Sequence, residues 1–292
     1  AGVMTFYAFN PLVLMALVVI SEDKVVVFLL TILILVSVEK GQGAYSLFWT
    51  TILTLYRWLG AFFVLPVAVT FAKTWRRLIL YLGFFGLVYA LSHVPYWPAN
   101  LFAYESRAAR TLINPPIHDS PTMLLAAVGL YTPEIVSIGI LLTLAILYSL
   151  FLWRKITLVE VIVLSSFFTT MLSPELPSGR IIMVSLPLFW LITLNKARLI
   201  VLWATTIVVS PLANPYETDI ILGALHVPIH FASPSMAHML MINILPAVLL
   251  CYYVVDKSHG RVPRTTLLPD DWLLARQRTA PVAVAADKPP GV

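Results

Sequence analysis

Charge is what this chain has least of. Only 11% of its 292 residues are charged and 60% are hydrophobic, against about 25% charged in an ordinary soluble domain. That balance excludes a soluble domain held by one anchor and predicts an all-α, polytopic transmembrane helix bundle. Cysteine is nearly absent, and the single Cys251 excludes an intrachain disulfide. Also missing are a P-loop, a GxGxxG turn, a GxSxG elbow and a cysteine pair, so the nucleotide, hydrolase and redox motifs of soluble enzymes are excluded. No charged segment precedes the first apolar run, so that run reads as a span and not as a signal peptide. A start at Ala1 fits a processed, tagged or truncated N-terminus.

What the chain does have is apolar runs. Nine spans are expected, at Met4–Ile20, Val25–Val38, Ala44–Ala72, Leu78–Ser92, Pro133–Trp153, Thr157–Leu172, Ile181–Leu194, Leu199–Pro211 and Met236–Val255. Several fall short of the ~20 residues of a perpendicular crossing and are expected to extend, to thin the bilayer or to be re-entrant. The bundle is expected over 1–255, with outer loops at 93–132, 173–180 and 212–235, followed by a cytoplasmic, largely disordered, Pro-rich tail over 256–292. Basic residues support the alternation. Lys24, then Lys73, Arg76 and Arg77, then Arg154 and Lys155, then Lys196 and Arg198, then the tail, hold 14 of the 19 Lys and Arg. The opposite loops hold Lys40, Arg107, Arg110 and Arg180. By the positive-inside rule the first set and the C-terminus are cytoplasmic. The long loops then lie outside, and long loops usually carry function. The net charge of +5 follows this topology and does not indicate nucleic acid.

The stretch Gly43–Arg77 organises the reading. Its apolar part, Ala44–Ala72, holds one charge, Arg57, near the middle. As one straight helix, 29 residues would run about 43 Å, longer than a ~30 Å hydrocarbon core. The segment must therefore tilt, break or form two pieces, with Gly60 and Pro66 as break points. An arginine at that depth costs at least ~2.5–3.5 kcal/mol on insertion scales and normally faces a polar cavity with a partner. It is either a structural ion pair or a cation for an anionic ligand.

The outer loops supply further candidates. Tyr104, Glu105, Arg107, Arg110, His118 and Asp119 lie in the first, Arg180 in the second, and His226 and His230 in the third. Both signs of charge and aromatics suit a phosphate-bearing or sugar substrate, with Arg as the phosphate fork and a carboxylate as general base. Each taken singly is equally well an ordinary solvated loop charge. His226 and His230 have metal-ligand spacing on a helix, but Pro228 lies between them and no zincin Glu is present. No metal site is expected, and a divalent cation is the one cofactor left open. Glu160 reads as structural, within reach of water or Lys155. Aromatics such as Tyr81, Phe84, Phe85 and Tyr89 read as packing or lipid-facing groups.

Several features in sequence order carry a resemblance. They are Asn10–Leu12 opening a span, Leu53–Pro66 with its mid-span Arg57, the basic turn at Thr74–Arg77, the Pro95–Pro98 segment entering a long loop, and Ser178–Leu191 with Arg180. Together they resemble the multi-span GT-C glycosyltransferases that use polyprenyl-phosphate sugars, over about two thirds of the chain. The resemblance implies sugar transfer at the outer membrane face, with Arg57 and Arg180 near the lipid phosphate. It implies membrane lipid and a sugar or protein acceptor as partners. A prokaryotic plasma membrane is the expected location. The family carries its catalytic acid in a first outer loop. No residue here matches it, so either an N-terminal part precedes this chain or the protein is a non-catalytic relative. Competing expectations are a membrane subunit binding lipid or a partner protein, and a transporter with Arg57 in its pathway. Paired broken helices in inverted repeats, the usual transporter sign, are not seen.

Overall fold

The computed structural model describes residues 24–96, 121–173, 186–213, 220, 223–228, 240–241 and 243–262. The fold is all-α, with no strand among the described residues. The longer helices are α1 (Lys24–Glu39), α2 (Gly43–Tyr56), α3 (Ala61–Ala72), α4 (Trp75–His93), α5 (Met123–Ala127), α6 (Pro133–Leu152), α7 (Leu158–Met171), α8 (Lys196–Ala213) and α9 (Ile244–Ser258). Among the described residues α6 is the one helix long and apolar enough to cross a membrane, and Val26–Glu39, Ala61–Ala72 and Leu158–Met171 are shorter apolar helices.

Local chemistry sets several ends. Thr132 caps α6, its hydroxyl accepting from the Ile135 N–H, and Pro133 takes the first position, where a missing N–H costs nothing. At α7, Thr157 accepts from the Glu160 N–H, and Glu160 Oε2 accepts from the Thr157 N–H at 2.7 Å. This reciprocal capping box satisfies two donors that a helix start leaves open. Both starts agree with the expected spans to within a residue.

The stretch Ala44–Ala72 is two helices. α2 stops at Tyr56 because Arg57 is extended (φ −148°, ψ 132°), and a 3₁₀ turn over Trp58–Gly60 leads into α3. The two run antiparallel. At one end an added Cβ on Gly43 would lie 2.6 Å from the Phe71 ring. At the other, one on Gly60 would lie 2.5 Å from the Thr54 nitrogen. Only glycine, with no Cβ, leaves room for the Phe71 side chain at one end and the Thr54 backbone at the other. Neither expected break point interrupts the chain: the break is at Arg57, Gly60 keeps helical angles (φ −61°, ψ −28°) and Pro66 sits inside α3.

This hairpin decides which turns share an end. The Trp190 indole N–H donates to Glu39. Thr193 and Arg198 meet Asp256, and Lys257 meets Glu160 in the first turn of α7. The Lys40 turn, the starts of α7 and α8 and the end of α9 therefore lie together, and the Gly43–Phe71 contact brings the Lys73 turn to the same end. The expected sidedness is corrected here. Lys40 belongs with Lys73, Lys155, Lys196 and Lys257, and Lys24 lies at the opposite end of α1. The cause is that Ala44–Ala72 is two antiparallel helices where one continuous span was counted.

Two further expectations change. Of Ile181–Leu194 the structure describes residues 186–194, within which Leu186–Leu191 is a six-residue 3₁₀ segment. Pro187, which donates no hydrogen bond, and the tight 3₁₀ geometry suit a short connector. α9 runs past Val255 to Ser258, because Asp256 and Lys257 are paired inside the fold. The core gathers α1, the α2–α3 hairpin, α7 and parts of α8 and α9 around Ile34, Leu53, Phe63, Ile162 and Leu245.

Candidate functional site

Arg57 stands at the tip of the hairpin and is half-buried. Its N–H still closes the last turn of α2 by donating to the Leu53 carbonyl (2.6 Å), and its own carbonyl accepts from the Gly60 N–H (3.2 Å). The side chain thus leaves the backbone where α2 ends and α3 begins. α2 has 14 residues, which sets the tip about 21 Å from the basic end at ~1.5 Å per residue. No acidic residue lies in the first turn of α3, and its cap, Gly60, offers no side-chain acceptor. Helix-start N–H groups beside a guanidinium favour an anion. The neighbouring α2 hydroxyls donate within their own helix, Thr50 to the Ser46 carbonyl and Thr54 to the Thr50 carbonyl, at 2.7 and 2.8 Å.

Pro66 explains a second feature of the tip. A proline inside a helix has no N–H for the carbonyl four residues back, here that of Phe62. The Tyr148 hydroxyl of α6 donates to this carbonyl at 2.5 Å, across 86 residues of sequence. Phe62 and Tyr148 also pack on the apolar cluster of Val136, Ile140 and Leu144. The hairpin tip is thereby tied to α6, the one helix of crossing length among the described residues.

The basic end holds a second polar cluster, with the two buried carboxylates of the described residues. Glu160, besides capping its own helix, accepts from the Tyr253 hydroxyl (2.9 Å) and Lys257 Nζ (2.6 Å). Its structural reading is retained, with Lys257 as the partner where Lys155 was expected. Asp256 Oδ2 accepts from the Thr193 N–H (2.7 Å) and Arg198 Nη1 (2.6 Å). Arg198 also donates to the Thr193 carbonyl and lies 4.6 Å from the Tyr252 ring centroid. Burial alone would push the Asp256 carboxyl up. The Arg198 hydrogen bond, the Thr193 N–H and the Arg198 charge outweigh it and hold the carboxyl below its ordinary value. The same pairing raises Arg198. Sequence reasoning missed this cluster, although its signal was present in an Asp-Lys pair directly after an apolar run.

Of the other candidates, His226 is exposed, in a turn where its φ is 57° and its N–H bonds the Gly223 carbonyl. The helical turn ends there, so a helical pairing with a residue four places on has no support at His226. Arg180, Tyr104, Glu105, Arg107, Arg110, His118, Asp119 and His230 lie outside the described residues. Among the described residues no group of three or more His, Cys, Asp or Glu could hold a metal ion. Of the aromatic stripe, Tyr81 and Phe85 pack on the core, and Phe84 is exposed. The site is an interrupted helical hairpin with a cation at its tip, and no known protein family, curated protein or solved structure matches the chain that carries it.

Proposed function

We propose that this is a multi-span membrane protein that holds the phosphate of a polyprenyl-phosphate sugar at Arg57, within a glycosyltransferase acting at the extracytoplasmic face. The observation that carries the reading is the break in the apolar hairpin at Arg57. Irregular backbone at membrane depth is tolerated only where protein buries it or a water-filled cavity meets it. The Arg57 guanidinium can fork a phosphate in addition to the interaction it already makes. With the basic end in the cytoplasm, a tip about 21 Å into a ~30 Å core lies nearer the outer surface, where a lipid-linked phosphate can reach it. Exposed apolar residues on α6, such as Ile138, Leu141, Leu142 and Ile146, suit contact with lipid. In the transfer itself the acceptor hydroxyl would attack the anomeric carbon as its bond to the phosphate breaks, the hydroxyl proton passing to the released phosphate or to water. Arg57 would neutralise the charge left on that phosphate. The proposed topology is about nine apolar membrane segments, with Ala44–Ala72 a re-entrant hairpin that does not cross, in a prokaryotic plasma membrane.

A second reading, a non-catalytic membrane subunit, is favoured by one fact. The buried carboxylates Glu160 and Asp256 are both neutralised at the basic end, so neither serves as a general base at the tip. Binding of polyprenyl phosphate in lipid nanodiscs tests the shared premise. Arg57→Met should abolish it and Arg57→Lys should weaken it, with unchanged helical content. Wild-type binding by a folded Arg57→Met protein removes the site. Sugar transfer by the intact protein then separates the two readings.

A further inference from the structure

We propose that the exposed face of α4 binds an anionic phospholipid, with Lys73, Arg76 and Arg77 on the headgroup and the apolar residues above them on the acyl chains. The proposal is independent of Arg57. Lys73, Thr74, Trp75, Arg76 and Arg77 are all exposed, and Trp75 keeps 51% of its surface. Among the described residues none of the three cations makes an ion pair. Two of them stand where a cation is unfavourable. Arg76 and Arg77 lie in the first turn of a 19-residue helix with no acidic residue in that turn, where the macrodipole is already positive. An outside anion relieves that repulsion.

The apolar part is aligned with the charge. Leu80, Phe84, Leu87 and Leu91 are 68%, 53%, 57% and 57% exposed. They follow Arg76 at intervals of four, four, three and four residues, which places them in one stripe of the helix surface. Leu78 is the one buried residue of α4. From Arg76 to Leu91 the stripe rises about 22 Å, more than half of the ~30 Å hydrocarbon core and so enough for one leaflet's chains. An exposed tryptophan beside the cations sits where aromatic side chains settle at a headgroup boundary. Cations, boundary aromatic and apolar stripe in that order match a lipid with an acidic head. A zwitterionic head carries its own ammonium and gains less from three cations.

Native mass spectrometry of the full chain, released from detergent with equal phosphatidylglycerol and phosphatidylcholine, reads the preference directly. The wild type should retain phosphatidylglycerol several-fold over phosphatidylcholine. Arg76→Gln with Arg77→Gln should bring the ratio close to one, Arg76→Lys with Arg77→Lys should keep it, and Lys155→Gln, in another turn at the basic end, should leave it unchanged. Circular dichroism confirms that each variant is folded. The proposal is overturned if the double Gln variant keeps the wild-type ratio, if the double Lys variant loses it, or if Lys155→Gln lowers it as far as the double Gln variant.

Discussion

Tyr148→Phe is the sharpest probe of the hairpin. The substitution removes one hydroxyl and leaves the ring on Val136, Ile140 and Leu144. What is lost is the donor to the Phe62 carbonyl, which Pro66 cannot replace because it has no N–H. Leaving such an acceptor unsatisfied in a desolvated place costs about 1–3 kcal/mol. Both residues are half-buried, so the lower half of that range applies, about 1–2 kcal/mol. The cause can be separated from mere loss of a hydroxyl. Pro66→Ala returns an N–H four residues beyond Phe62, inside a helix that is already formed. In that background Tyr148→Phe should cost under about 0.5 kcal/mol, giving a coupling of roughly 1 kcal/mol. Reversible unfolding in mixed micelles, followed by circular dichroism for wild type, both single variants and the double, measures the cycle. An equal cost of Tyr148→Phe in both backgrounds refutes the claim that the tyrosine stands in for the missing proline donor.

Four further outcomes follow from the same geometry. Arg198→Met strands the Asp256 carboxylate, whose side chain has no exposed surface against 14% for Arg198, and should cost about 3 kcal/mol, more than Asp256→Asn. Because Asp256 titrates below its ordinary value, its stabilisation should be complete above pH ~4 and fade as pH falls through the lowered value. Chemical denaturation from pH 6 to pH 3, with Asp256→Asn showing a flatter profile, checks the sign, and identical profiles would refute it. A methyl on Gly60 would meet Thr54 and Thr50 at 2.5–2.8 Å, so Gly60→Ala should lower stability by about 1–3 kcal/mol. Gly139, with nothing within 4 Å of an added Cβ, should accept alanine with no loss. On a Cys251→Ala background, cysteines at Lys40 and Ser258 should label from the same side and one at Lys24 from the other. Opposite labelling of Lys40 and Ser258 would contradict a returning hairpin.

Helices set by local signals were legible. Pro133 and the alternation of polar turns placed α6 within a residue, and the threonines at 132 and 157 mark starts that any capping argument can find. The direction of the chain after a break was not legible. Hydropathy measures how long a segment stays apolar and is blind to whether it crosses or returns, so 29 apolar residues read as one over-long span. Gly43 and Gly60 leave room for the return, but what packs against them is a tertiary fact. Once the hairpin returned, the assignment of Lys24 and Lys40 had to exchange.

The site shows the same division. Arg57 could be singled out because a lone charge in an apolar run is costly wherever the chain goes. Tyr148 could not, since a tyrosine in a span is ordinary and nothing beside it is unusual. Its signal sits elsewhere in the sequence, at Pro66. A proline kept inside a helix implies an orphaned carbonyl four residues earlier, and in an apolar setting that carbonyl must find a donor from another element. The sequence therefore states that a partner for Phe62 exists, and only the packing of α3 on its neighbours says which residue it is. The Glu160 and Asp256 pairs follow the same rule. A carboxylate beside an apolar run must be neutralised when buried, yet Lys257 and Arg198 are 97 and 58 residues away, beyond what spacing along one helix can indicate.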